Sequence, residues 1–280
     1  MHHRIAPSSR RGLIYVTIAG IAWGTGGPTG ALLFEYAGLG STAVSFWRLA
    51  AAALWLALAR LVFPVRRLSA ASPMRYLLSG VGLAVCQLGY FAAIPRVGVG
   101  VATVIALGAG PFFIALGARE RITSPLVVAV LGLVLLISGG GSASIVGIVC
   151  ALLSAAGYAL TALLNRGEPD PITGALLGFV AGAVILLPLA IVAGPLPTRV
   201  GWPLIGFFGL VPTALAYCLF YVSLRTLPAS TAAVVALIEP VVAAGLGVLL
   251  FHERLGMMAV VGAVVLLGAV VAHARQTASR

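Results

Sequence analysis

Residues 22–30 read AWGTGGPTG, from Ala22 to Gly30: four glycines and a proline behind a tryptophan, inside a segment otherwise built from Leu, Ile, Val and Ala. Such a stretch is either a phosphate-cradling loop or a weak point built into a helix. A Walker-type loop needs a lysine to reach the phosphates, and a dinucleotide loop needs G-x-G-x-x-G directly after a strand. Neither requirement is met, because all 17 basic residues are arginines and Gly24, Gly26 and Thr29 miss the dinucleotide spacing. What remains is a helix with a soft middle. Pro28 removes one backbone hydrogen bond and crowds the preceding turn, the glycines let a neighbour or a ligand approach the backbone, and Thr25 and Thr29 can serve the released carbonyls.

The surroundings place that helix in a bilayer. Of 280 residues, 61% are apolar and only 8% charged, against about 25% charged in an ordinary soluble domain. Apolar runs of membrane-spanning length, roughly 17 to 25 residues, recur along the whole chain. Ten are read: Leu13 to Phe34, Ala43 to Phe63, Tyr76 to Ile94, Val99 to Ala118, a shorter Leu126 to Ser138 that Gly139 to Gly141 can extend, Ile145 to Leu164, Ile172 to Ala193, Trp202 to Leu224, Ser230 to Phe251 and Met257 to Ala272. The expected class is an all-α polytopic membrane protein.

The net charge of +11 does not describe a nucleic-acid binder, since the arginines punctuate the spans instead of forming one basic face. They report topology. With the N terminus inside, the inner loops collect Arg4, Arg10, Arg11, Arg60, Arg66, Arg67, Arg75, Arg119, Arg121, Arg166, Arg225, Arg275 and Arg280, and the outer loops hold Arg96, Arg199 and Arg254. Positive-inside orientation then puts both termini in the cytoplasm. The opening SSRRGLIY leads into a retained first span and not into an export cleavage site. Cys86, Cys150 and Cys218 lie within spans at unpaired spacing, so no disulfide framework, metal site or cofactor is expected.

The chain also repeats itself. Trp23 aligns with Tyr158, Gly80 with Gly209, Phe91 with Phe220, Arg96 with Arg225, Pro111 with Pro240 and, after a four-residue gap, Glu120-Arg121 with Glu253-Arg254. Each half, 1–141 and 142–280, holds five spans, and an odd number makes the second half enter the membrane upside down. Inverted repeats of this kind are a recurring construction of secondary transporters, because two similar halves exchange roles as the site opens to each side.

Trp23-Gly24 in the first span, Phe46-Trp47-Arg48 in the second, Gly110-Pro111 and Glu239-Pro240 in the fourth and ninth, and the Glu-Arg pair after each resemble the drug/metabolite transporter superfamily. Within it the chain resembles the EamA family of bacterial exporters, over nearly its whole length. The WGTGG start resembles the YddG-like branch, which exports aromatic and other neutral amino acids. The resemblance implies a bundle of ten helices around a central cavity, lined mainly by spans one, three, four, six, eight and nine, in a bacterial inner membrane. One departure is that the fourth span has no acid where the ninth has Glu239, so a coupling role for that acid cannot be symmetric.

Polar residues at helical spacing mark faces turned away from lipid. Ser154, Tyr158, Thr161 and Asn165 form one stripe, Thr213, Tyr217 and Tyr221 a second, and Gln87, Tyr90 and Phe91 share a face. Trp23, Gln87, Tyr90, Tyr158, Thr161, Thr213 and Tyr217 are therefore the expected cavity wall, suited to a small amphipathic organic solute. Some of these groups are equally explained by bonding to their own backbone. Glu239, near the middle of span nine, serves as a coupling acid, a contact for a substrate amine or a structural partner. Arg48 pairs with it, grips a carboxylate or snorkels to the interface, the last being the leading reading. Gly26, Gly27 and Pro28, with Pro111 and Pro240, are the expected gating hinges, and tight helix packing at the glycines alone is the equal alternative.

Glu120 and Glu253 are expected to cap the helices that follow them. His252-Glu253 is no zincin motif, since position 256 is Gly. An intramembrane enzyme would need grouped acids, histidines or cysteines, and the spans show one buried acid. The leading function is a secondary exporter of small metabolites, amino acids first, working as a monomer in the lipid bilayer. A multidrug or nucleoside exporter and a structural or receptor-like subunit are the alternatives.

Overall fold

A computed structural model describes residues 7–62, 72–136, 144–194, 196–252 and 256–278. His2, His3, Arg4, Arg66, Arg67, residues 139–141 with the boundary between the halves, Glu253, Arg254 and Arg280 lie outside the described residues. The elements run α1 (Pro7–Gly24), α2 (Gly26–Ala37), α3 (Ser41–Val62), α4 (Pro73–Gly117), α5 (Ser124–Leu136), α6 (Ile145–Asn165), α7 (Pro171–Ala193), α8 (Gly201–Gly209), a π-helical segment (Leu210–Leu215), α9 (Ala216–Ser223), α10 (Ala229–Ala236), α11 (Glu239–Phe251) and α12 (Met257–Ala278). No strand occurs among the described residues. Seven helical stretches are long and apolar enough to cross a membrane, while α5 is a shorter apolar helix of 13 residues.

The starts of these helices follow from their first residues. Ser72 accepts a hydrogen bond from Met74 N with Pro73 in the first turn of α4, and Asp170 accepts one from Thr173 N with Pro171 opening α7. Both pairings suit a helix N-terminus, where a side-chain acceptor serves an orphan N–H and proline loses nothing. The break between α1 and α2 falls at Thr25, inside the glycine-proline stretch. The Thr25 hydroxyl donates to the Ala22 carbonyl at 2.7 Å and the Thr29 hydroxyl to the Thr25 carbonyl at 2.7 Å. Both carbonyls also accept a backbone N–H, from Thr25 and Thr29 in turn, so the two hydroxyls are satisfied by bonding back to their own helix.

The 45 residues of α4 would reach about 68 Å as one straight helix, more than twice the roughly 30 Å hydrocarbon core. The chain turns back instead at Gly98, whose φ of 81° and ψ of 158° are open to glycine alone. The Tyr90 and Thr103 hydroxyls prove the turn: they hydrogen-bond at 2.7 Å, whereas 13 residues of straight helix would separate them by about 20 Å.

Lipid is as apolar as leucine, so helices in it associate through close backbone approach at small residues. The α4–α6 and α5–α12 pairs do this at Gly82, Gly157, Gly132 and Gly262. A Cβ on Gly157 would lie 2.5 Å from the Gly82 carbonyl oxygen and 2.6 Å from Cys86 N, both backbone atoms that cannot yield alone. Gly157→Ala is expected to destabilise the fold by about 1–3 kcal/mol through overpacking, read as a lower melting temperature in detergent.

One end of the bundle carries the start of α1 and the end of α12, since Ser9 and Gln276 line the same recess. Arginines there clamp one half of the chain to the other: Arg60 pairs with Asp170, Arg75 with Glu168 at 3.3 Å and Arg166 with Glu120 at 3.5 Å. Burial pushes the Asp170 carboxyl up, but hydrogen bonds from Arg60 and Thr173 and the Arg60 charge outweigh it and hold it below the usual carboxylate range. Glu168 is completely buried, but it lies in the loop between α6 and α7, outside the spans that the sequence reading counted.

Candidate functional site

A cavity of about 480 Å³ opens among α1 to α4, α6 and the α8 to α11 stretch, within the range usual for small-molecule sites. It runs from Trp23, beside the break in the first helix, toward Phe34, Tyr90, Phe91 and Val99 at the end away from the termini. Its floor is aromatic. Trp23 stands edge-on to Tyr217 at 5.1 Å and to Tyr158 at 6.3 Å, and Tyr158 lies 5.8 Å from Phe220. Such edge-on rings hold one another in place beyond their shared burial. Nearer the mouth, Phe91 meets Phe34 at 6.3 Å and Tyr90 at 5.6 Å.

Trp23, Gln87, Tyr90, Tyr158 and Tyr217 line this cavity, with Arg48, Glu239, Gly26, Gly27 and Pro111. Thr161, Thr213, Pro28 and Pro240 do not, and each has a physical reason. The Thr161 hydroxyl is turned to the α4 contact, donating to the Gly157 carbonyl at 3.0 Å and the Ser79 carbonyl at 3.3 Å. Asn165 continues that seam by donating to Ser79 Oγ at 3.0 Å. The stripe on α6 therefore divides, with Ser154 and Tyr158 on the cavity and Thr161 and Asn165 holding α4.

Thr213 leaves the wall because the chain is π-helical from Leu210 to Leu215, which breaks the four-residue register with Tyr217 and Tyr221. Pro212 has no N–H for the Phe208 carbonyl, and the Thr213 hydroxyl donates to that carbonyl at 2.7 Å. The same wide turns bring in Phe208. Nine residues separate it from Tyr217, two and a half turns of regular helix and so opposite faces, yet both line the cavity. π turns recur at functional sites for this reason. Phe208, with Phe34, Cys86 and Thr103, extends the wall beyond the residues legible by periodicity. Pro240 lies in the first turn of α11, where it marks a helix start after a break at Leu237.

Arg48 does not snorkel. Its Nε donates to Thr213 Oγ1 at 3.0 Å, one Nη donates to the Pro212 carbonyl at 3.3 Å, and the guanidinium lies 5.0 Å from the centre of the Phe208 ring. Arginine has five N–H donors, so three lack a protein partner among the described residues. Arg48 and Glu239 share the cavity without an ion pair between them among the described residues. No group of three or more His, Cys, Asp or Glu that could hold a metal occurs among the described residues.

The glycines of the opening stretch divide as well. A Cβ on Gly24 would meet Val242 Cβ at 2.6 Å and the Glu239 carbonyl at 2.9 Å, and one on Gly20 would meet Ile238 Cγ2 at 2.4 Å. Gly26 has only ordinary contacts, at 3.5 Å, and Gly27 meets nothing within 4 Å. Close packing is therefore the work of Gly20 and Gly24, and it does not explain Gly26 or Gly27.

A model of the EamA-like transporter family matches residues 141–273. The chain is 32% identical over 285 aligned residues to the uncharacterized transporter YwfM of Bacillus subtilis (strain 168), covering 93% of each. It is 30% identical to the uncharacterized transporter YxxF of the same organism over 51% of this chain and 48% of that one. A solved crystal structure superposes with a TM-score of 0.81 over 95% of this chain and 97% of its own, at 15% identity, a likeness of fold alone.

Proposed function

We propose, for a chain that belongs to the EamA-like transporter family, that it is a secondary exporter of small zwitterionic metabolites, neutral and aromatic amino acids foremost, across a bacterial inner membrane. One observation carries the substrate class. A guanidinium with spare donors and a carboxylate share an aromatic cavity with no ion pair between them among the described residues. Each charge carries a desolvation cost in such a site unless it meets an opposite charge. An α-amino acid supplies both partners at once: its carboxylate meets Arg48, its ammonium meets Glu239, and its side chain lies on Trp23, Tyr158 and Tyr217.

The architecture we propose is ten spans in two inverted halves with both termini cytoplasmic. The seven long stretches reach ten when α1 with α2 counts as a broken span, α4 as two and α5 as one. The packing pattern supports the twofold: exchanging each span with its counterpart five further on turns α4 against α6 into α9 against α1, and α4 against α7 into α8 against α3, and all four contacts occur. We propose the monomer as the working unit. Alternating access follows if the halves rock about the central site.

Uptake of labelled phenylalanine, threonine, a nucleoside and a lipophilic cation into sealed liposomes holding the purified protein tests the reading. Saturable flux of the amino acids is expected. Flux of the cation or the nucleoside alone overturns the substrate class, and no flux of any solute returns the chain to a structural or receptor-like role. The hinge at Gly26 and Gly27 is proposed on their lack of close contacts. Gly26→Ala with Gly27→Ala is expected to leave the melting temperature within a few degrees and slow exchange several-fold, whereas Gly24→Ala should lower the melting temperature. Unchanged exchange in the double variant would remove the hinge.

A further inference from the structure

Toward the end near Ser9 and Gln276 the cavity stops at its aromatic floor of Trp23, Tyr158 and Tyr217, and α10 forms the wall beside that floor. Ala233, Ala236 and Leu237 form the wall there, and α1 lies against them through Gly20, whose absent side chain admits Ile238 and the Ala236 carbonyl. α10 is eight residues long, and the helix is interrupted at Leu237 before α11 begins at Glu239. A short helix joined to its continuation by a break is able to swing as a unit.

What holds it is an imported cap. The residue that opens α10 is Pro228, whose side chain makes no cap hydrogen bond. Glu120, from the loop after α4 in the other half of the chain, takes that role instead. Its two carboxylate oxygens accept from Ala229 N at 3.0 Å and Ser230 N at 2.8 Å, and Arg166 stands 3.5 Å away. The sequence pattern assigned Glu120 to the helix that follows it; the structure assigns it to α10, across the repeats. A carboxylate on two orphan N–H groups at a helix N-terminus is favoured by both the hydrogen bonds and the helix dipole.

Beside this cap lies a polar recess of about 340 Å³, lined by Glu120, Thr226, Ser230, Thr231 and His273 among others. Water there can replace the carboxylate, so release need not strand the two N–H groups. We infer that Glu120 is a positioning residue for transport: its cap on α10 latches the terminal-end gate, and its release sets the balance between the two open states of the site. This rests on the alternating-access reading above but not on the identity of the substrate.

The test uses native Cys86, which lines the central cavity, in a Cys150→Ala, Cys218→Ala background and without any solute. A membrane-impermeant maleimide is applied to either face in membranes of each orientation, and the labelling rates at Cys86 are compared. In the background protein, labelling from the face away from the termini should dominate. Glu120→Gln should raise labelling from the terminal face about three- to thirtyfold, the range set by loss of a charged helix cap. Arg166→Gln, which leaves both cap acceptors in place, should change it in the same direction by less and serves if Glu120→Gln does not fold. An unchanged ratio of rates in folded variants, whatever their melting temperature, overturns the latch. Equal rates from both faces in the background protein overturn the closed resting gate on which the latch acts, whereas absence of saturable flux in the liposome assay overturns the transport reading beneath it.

Discussion

Arg48→Gln is expected to lower the apparent affinity for amino acids about 10- to 100-fold while leaving any transport of an amine that lacks a carboxylate unaffected. The size follows from a charge-assisted hydrogen bond, worth about 1.5–3 kcal/mol, at about 1.4 kcal/mol per tenfold change. Selectivity is the informative part of the result. Arg48 also holds the π-helical segment through Thr213 and the Pro212 carbonyl, so its loss could reshape the wall. A reshaped wall would weaken every solute alike, whereas loss of a carboxylate partner weakens only solutes that carry one. Equal losses for phenylalanine and for phenethylamine in liposome uptake would assign Arg48 to structure.

Glu239→Gln is expected to show the opposite selectivity. The substitution keeps size and one acceptor oxygen but removes the charge that an ammonium meets, so amino acids and amines should weaken about 10- to 100-fold by the same reasoning. A solute with a carboxylate and no amine should be bound no worse. The same variant tests coupling, because Glu239 is the acid in the cavity able to take up and release a proton with the substrate. Uptake by the unaltered protein should respond to an imposed pH gradient and uptake by Glu239→Gln should not. A pH response that survives in the variant would place coupling elsewhere.

The glycine-proline stretch shows how far local reading goes. That Ala22 to Gly30 interrupts a membrane helix follows from Pro28, four glycines and the absence of lysine, and the helix does end at Gly24 and restart at Gly26. Trp23, Tyr158 and Tyr217 were legible as inward residues because each lies on a polar stripe or beside the break, and all three line the cavity. Periodicity failed at Thr213 for a definable reason, since a π-helical segment changes the angle per residue and a four-residue rule then points the wrong way. It failed at Thr161 because Gly82 lets α4 come within hydrogen-bond reach of that face.

What the sequence determines by itself are properties summed along the chain. A bilayer selects on length, apolarity and charge placement, and all three can be read residue by residue without knowing any neighbour. The tertiary structure alone decides which groups meet across the bundle. Glu120 was expected to serve the next helix and instead caps α10, 109 residues away. Arg48 was expected at the interface and instead reaches the π-helical segment, 165 residues away. Inside the membrane, water is too scarce to satisfy a polar group, so each must find a protein or ligand partner. Which partner it finds depends on helix packing, to which a sequence pattern is blind.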